Sequence, residues 1–343
     1  MSSVLTDYSR MTFAGYQVGF CPSYADDSRL WSTGPFLRAL ARVTMQPRPE
    51  IGIVHVHLSQ NGSFVREGGI VLAASRRGLP VVVTLHGANL KEFNDSHPHI
   101  VDTVLRQADV IITLGSAFRN LLAPDLRTKV VIVPNAVMVP SVPPPAAGGN
   151  GPVALFAGEV SRRKGVDILV QAWPRAREIA PDARLELAGP PGDFDPVAVA
   201  GIEWLGPLPR EEILSRLTTC RIAVLPSRHE AMPIFLLEAM AAGRPVVSTP
   251  VGEIADLVAD AGLIVPEGDA VGLAAALGQL LAEPEEASRL GRMAWERVLD
   301  RNGLAVVAAQ LEAVYDSAAR RHTGSLVTSK TAPAAATGAT ATR

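Results

Sequence analysis

Short apolar, β-branched runs recur along the chain, separated by stretches with helical periodicity. That is the pattern of parallel strands buried on both faces. In the first half the predicted strands are residues 51–59 (IGIVHVHLS), 80–87 (PVVVTLHG), 109–115 (DVIITLG) and 129–135 (KVVIVPN), with amphipathic helices at 35–43 and 100–107. Residues 139–151, VPSVPPPAAGGNG, suit neither a helix nor a central strand and read as an interdomain linker. The alternation then restarts with strands at 153–159, 184–189, 202–205, 221–226, 245–248 and 262–265. Helices are predicted at 166–179, 210–218, 234–242 and 271–281. Two consecutive doubly wound α/β domains follow, and in such sheets a ligand sits at the carboxyl ends of the strands.

The expected organisation is an N-terminal Rossmann-like domain over 1–140, a linker at 141–151 and a C-terminal Rossmann-like domain over 152–304. A last helix over 305–321 is expected to return to the N-terminal domain. Residues 322–343 are rich in Ala, Thr and Ser without an apolar face, and disorder is expected there. Residues 3–9 read as a helix that begins at once, whereas an α/β domain normally opens with a strand and a tight Gly-rich turn; the expectation is a missing first strand and a true start ~20 residues upstream.

Composition narrows the function. The 343 residues are 48% hydrophobic and 19% charged, enough for two packed cores, and the formal net charge of −2 offers no global field for nucleic acid. Cys21 and Cys220 are too far apart in sequence for a disulfide framework or a metal-ligand motif. No signal segment opens the sequence, and no apolar run approaches the ~20 residues that span a bilayer. A soluble cytoplasmic protein is expected, with a peripheral contact at the inner membrane face as an option.

Two segments carry chemistry. In residues 225–243, LPSRHEAMPIFLLEAMAAG, a strand ends in a polar loop and Pro233 is well placed to open a helix. That helix is apolar on every side except for Glu238, and a buried carboxylate is costly without partners. Glu230 lies in the loop before it, seven residues away. Two acids at a helix start suit a polyhydroxylated ligand carrying phosphate, since carboxylates accept from hydroxyls and free N–H groups take the anion. The plainer alternative has Glu238 pairing with an internal Arg and Glu230 solvated. In residues 153–170, VALFAGEVSRRKGVDILV, a strand runs through Arg162, Arg163 and Lys164 to Gly165 and a helix, either an anion site or a solvated basic turn. The Walker spacing is absent.

Residues 227–250, with Glu230, Glu238 and the RPVVSTP turn, resemble the nucleotide-binding signature of the retaining GT-B glycosyltransferases of family 4. Residues 156–170 resemble that family's diphosphate loop. Ala188-Gly189, WLGPL at 204–208 and GLIVPEGD at 262–269 are similar to its punctuation, as are TLHGA at 84–88 and VPNAV at 133–137 in the first half. The resemblance implies a GT-B fold and transfer of a sugar from a UDP- or GDP-sugar to a hydroxyl of a glycan, lipid-linked or small-molecule acceptor, with retention. No cofactor and no metal are implied. Glu238 would take the ribose hydroxyls and Glu230 the donor sugar, while Lys164, with Arg162 or Arg163, would neutralise the diphosphate. Backbone N–H groups at Ala231, Met232 and Ile234 would cap the phosphates. Gly189, Gly206 and Leu208 would lie near the nucleotide, and His86 would face the sugar across the cleft. The acceptor side would include Ser63 and Arg66 in a polar loop over 59–69; Arg66, with Arg38 and Arg42, either greets an anionic lipid-linked acceptor or forms a solvated face.

Two departures stand out. Glu159 occupies the place where the family usually has an Arg, and the Gly-Gly loop after the first strand is not seen. They favour, as a competing reading, a non-catalytic sugar-nucleotide-binding protein; a GT-B epimerase, which shares the fold and donor, is the other competitor. The retained Glu230 and Glu238 oppose the first, and the lack of locatable catalytic acids opposes the second.

Overall fold

A computed structural model describes residues 6–23, 33–47, 52–149, 151–195 and 199–323. The expectation of a missing first strand, and the tail from residue 324 onward, fall outside the described residues. Of the helix predicted at 3–9, Thr6 to Tyr8 are seen and are helical.

The apolar runs form two parallel sheets. The first has the order β1 (Val54–Leu58), β2 (Val81–Leu85), β3 (Val110–Thr113), β4 (Val130–Ile132). The second comprises β5 (Val153–Ala157), β6 (Arg184–Ala188), β7 (Ile202–Gly206), β8 (Ile222–Leu225), β9 (Val246–Ser248) and β10 (Gly262–Ile264). Its order is β10-β9-β8-β5-β6-β7, which reverses direction at β5 and β8, the place where a doubly wound sheet opens its crevice. Strands β2, β3 and β8 are buried at every position, which is why they read as unbroken apolar runs rather than alternations.

The first sheet is covered on both faces. One core joins Leu58, Val81, Val83 and Ile111 to Phe64 and Leu105, and the other joins Val82, Val110 and Ile112 to Val307, Leu311 and Tyr315. The latter three come from the last described helix, Leu304–Thr323, so that helix packs on the N-terminal domain. In the second domain the helix Ile234–Ala241 buries Leu236, Leu237 and Met240 completely, stabilising it by on the order of 1.5–3 kcal/mol per side chain. Among the described residues no helix is long and apolar enough to cross a membrane.

Three local expectations change. The polar loop expected at 59–69 is mostly the start of a helix, Gly62–Arg76. Gly68 is a packing position rather than a breaker, because a Cβ there would stand 3.0 Å from Val104 Cγ2. The helix expected at 100–107 is Pro98–Leu105, opened by its proline and preceded by a separate helix, Leu90–Ser96. The linker is strapped to the C-terminal domain: Trp295 Nε1–H donates to Pro140 O at 3.0 Å, and the fully buried Arg244 donates to Pro145 O. The two chain crossings between domains meet elsewhere. There Val137 N–H donates to Asn302 O and Asn302 Nδ2–H to Asn135 O, both at 2.8 Å.

Candidate active site

The carboxyl ends of β5, β6, β8 and β9 converge on one crevice. Close approach of their loops depends on glycine. Gly165 has φ +74°, and a Cβ there would lie 1.9 Å from Pro226 O; one on Gly189 would lie 1.8 Å from Gly158 O. The loop after β5 therefore seats directly on the loop after β8.

At that contact Lys164 Nζ–H donates to Glu230 Oε1 at 2.5 Å, with the two side chains only 17% and 8% exposed. Ser227 Oγ–H donates to the same oxygen at 2.9 Å. Glu230 is thus held by a cation and a hydroxyl, not solvated. The loop carrying it is braced from the loop after β9, where Glu253 N–H donates to Ala231 O at 2.9 Å. It is braced also from the other domain, where Asn135 Nδ2–H donates to Met232 O at 3.0 Å. Ala231, Met232 and Ile234 lead into the start of the Ile234–Ala241 helix, whose leading N–H groups have no intrahelical partner.

Glu238, 6% exposed, accepts from Arg210 Nε–H at 2.6 Å. The internal arginine is therefore real, and Glu238 is a satisfied carboxylate rather than an isolated one. Burial pushes its carboxyl up, Arg210 pulls it down, and Asp7 nearby pushes it up again.

The other cations of the β5 loop are engaged elsewhere. Arg163 lies 3.6 Å from Glu159, four residues back, which draws that carboxylate into an ion pair. Arg162 lies 3.6 Å from Asp167, with its guanidinium 5.6 Å from the centre of the Phe194 ring. Lys164 is the one of the three that meets Glu230. Gly206 accepts from Gly189 N–H at 2.8 Å, and Leu208 is half-buried beyond it.

Across the crevice lies a cavity of about 240 Å³, lined from the N-terminal domain by Gly87, Ala88 and Phe118 and from the C-terminal domain by Arg228, Glu230 and Gly252. His86 is 8% exposed, and its ring belongs to a buried stack rather than to that lining. His86 Nε2 and His57 Nδ1 are hydrogen-bonded at 2.8 Å, with His55 stacked on His57 at 4.6 Å between ring centres. His55 in turn contacts Tyr315 Oη at 2.9 Å and Thr84 Oγ1 at 2.7 Å. In the N-terminal domain, Ser63 and Arg66, expected on the acceptor side, both bond the buried Glu67, so Arg66 is a partner of that carboxylate rather than an offered cation. Arg38 and Arg42 are exposed.

Burial lowers all three histidines, His57 to about 4, with neighbouring imidazoles adding to the effect on His55 and His86. The unfolded chain therefore binds these protons more tightly, and stability is lost as the pH falls from 6.5 towards about 4. His57 alone accounts for on the order of 3 kcal/mol. Glu238 and Glu253, raised by burial, act in the opposite sense above 4.5 and offset part of the loss at the acid end of that window. Denaturant unfolding at pH 7, 6 and 5 checks this, and an unchanged midpoint would contradict the buried neutral stack.

Sequence reasoning passed over several groups that shape the site. Arg228 lines the cavity and grips Asp167 at 2.7 and 2.9 Å. Glu253 reaches from the C-terminal domain to accept Ala117 N–H at 3.1 Å. Arg210 joins Glu238 to Asp7. Arg228 could have been weighed, since it directly precedes His229-Glu230; the others pair with residues too distant in sequence to leave a local signal.

The fold and this site define a GT-B glycosyltransferase, and comparison with known proteins agrees. The sequence profile described as "Glycosyl transferases group 1" matches residues 151–283, and that described as "Glycosyl transferase 4-like domain" matches residues 8–136. The chain belongs to this family of glycosyltransferases. It is 28% identical over 297 residues to glycogen synthase of Mycobacterium tuberculosis, covering 80% of this chain and 70% of that one. It is 31% identical over 252 residues to alpha-maltose-1-phosphate synthase of Mycolicibacterium smegmatis, covering 62% of this chain and 64% of that one. Among solved structures it is similar in fold to sucrose-phosphate synthase from Thermosynechococcus elongatus, with a TM-score of 0.67 and 20% identity over 88% of this chain and 81% of that one. HepE from Anabaena, solved in complex with UDP, gives a TM-score of 0.67 and 17% identity over 83% and 82%.

Proposed function

We propose that this glycosyltransferase takes a nucleotide-diphosphate sugar, a UDP- or GDP-sugar, in the C-terminal domain and transfers the sugar with retention to an acceptor hydroxyl, without metal. The observation that carries the reading is the Lys164–Glu230 pair at the crevice, one helical segment away from Glu238. Ribose hydroxyls donate to Glu238, sugar hydroxyls donate to Glu230, and the diphosphate lies between Lys164 and the start of the Ile234–Ala241 helix. Breaking the anomeric bond puts negative charge on the diphosphate, and a preorganised ammonium with helix N–H groups stabilises it there. Glu159 would repel that charge, but Arg163 offsets it.

The acceptor hydroxyl attacks from the face the diphosphate leaves, and the departing phosphate oxygen takes its proton. No acid/base pair with glycosidase spacing is then required. The relatives named glycogen synthase and alpha-maltose-1-phosphate synthase support a glycan or small sugar as acceptor. The test is proton NMR of the product formed from UDP- and GDP-sugars with a chelator present. An α-linked product from an α-linked donor is expected; a β-linked product, or dependence on added metal, would refute the mechanism.

A further inference from the structure

One guanidinium joins the two domains at the predicted ribose carboxylate. Arg210, first residue of the helix Arg210–Thr219, donates from Nε to Glu238 Oε1 and from Nη2 to Asp7 Oδ2, both at 2.6 Å. Asp7 belongs to the N-terminal turn, 203 residues before Arg210, and is 0% exposed. Two carboxylates thus share one cation. Both acids are buried, so each must recover its hydration from partners, and the one guanidinium serves both.

The turn also carries unsatisfied groups. Asp7 Oδ1 and the Tyr8 hydroxyl are buried without a hydrogen-bond partner, and Arg10 Nη1 lies 3.9 Å from Oδ1. A buried polar atom without a partner calls for an explanation, and here two sit in the one turn that meets Arg210. The ring of Tyr8 lies 5.3 Å from that of His57, which bonds His86. The same turn therefore touches Glu238 through Arg210 and His86 through His57.

We propose that Arg210 and Asp7 form an interdomain clamp in which Arg210 positions Glu238 for the ribose and its contact with Asp7 couples donor binding to closure of the cleft. The proposal rests on the donor-site reading given above. Arg210 occupies Oε1 of Glu238, and a ribose hydroxyl would use Oε2. Hydroxyls donating to Glu238 share its negative charge, which leaves more of the guanidinium's attraction for Asp7. Opening the cleft would separate Asp7 from its cation, so the closed form is the one the clamp favours. Both residues are positioning residues, acting through Glu238 and through the turn.

The test compares wild type with Arg210→Gln, Arg210→Lys and Asp7→Asn, measuring nucleotide binding by calorimetry and turnover of the nucleotide sugar as transfer or slow hydrolysis. Arg210→Gln should weaken nucleotide binding at least tenfold. Arg210→Lys should restore it to within about threefold of wild type, because a cation again faces Glu238, while turnover stays low because one ammonium cannot span both acids. Asp7→Asn should leave nucleotide affinity within about threefold and lower kcat at least tenfold, a split that simple loss of stability does not produce. Variants that lose only thermal stability, with affinity and kcat as in wild type, would overturn the clamp and leave the donor site standing. A wild type that binds no nucleotide would overturn both.

Discussion

Lys164→Ala is expected to lower sugar transfer by about two to three orders of magnitude, the usual effect of removing one preorganised group aimed at developing oxyanion charge. The ammonium is the group of the Arg162-Arg163-Lys164 cluster that meets Glu230, at 2.5 Å and largely out of solvent. Without it the Glu230 carboxylate keeps only the Ser227 hydroxyl and faces the diphosphate as a bare like charge. Ground-state binding should suffer less than turnover, because the charge on the leaving group grows towards the transition state. Steady-state kinetics of the variant, with Lys164→Arg beside it, checks this. A loss smaller than tenfold in kcat would mean that leaving-group stabilisation resides elsewhere, with Arg228 the first alternative.

Much of the C-terminal domain was legible because its signals are local. The helix predicted over 166–179 is Val166–Ile179, and the strand beginning at Val153 is observed from that residue. Glu238 stood out as the single acid in an all-apolar helix, and it is buried as expected. What could not be read is long-range. The order of the six-stranded sheet, the Asp7–Arg210 contact and the Glu253–Ala117 bond depend on segments that no periodicity connects.

The polar stretch before Ile70 shows a different failure. Gly62, Ser63, Gly68 and Gly69 argue for a loop by propensity, but tertiary packing overrides it, and at Gly68 the contact with Val104 favours a residue without a side chain. His86 illustrates a third case. The motif around it drew the eye to the cleft, whereas its ring is engaged by His57, a partner two positions along an adjacent strand from His55.

The second large effect is expected at Glu238. In the proposed donor site its carboxylate would accept from ribose hydroxyls, charge-assisted bonds of about 1.5–3 kcal/mol each, so Glu238→Ala should cost at least about a hundredfold in nucleotide affinity. The substitution leaves Arg210 with Asp7 as its partner, so the cation is not stranded. The most direct test is calorimetric binding of UDP, GDP and their common sugar conjugates, with and without chelator, to wild type and to Glu238→Ala. Micromolar binding of one nucleotide that ignores the chelator and disappears in the variant is expected. Binding that survives the substitution, that needs metal, or that no nucleotide shows in wild type would contradict a metal-independent donor site built on Glu238.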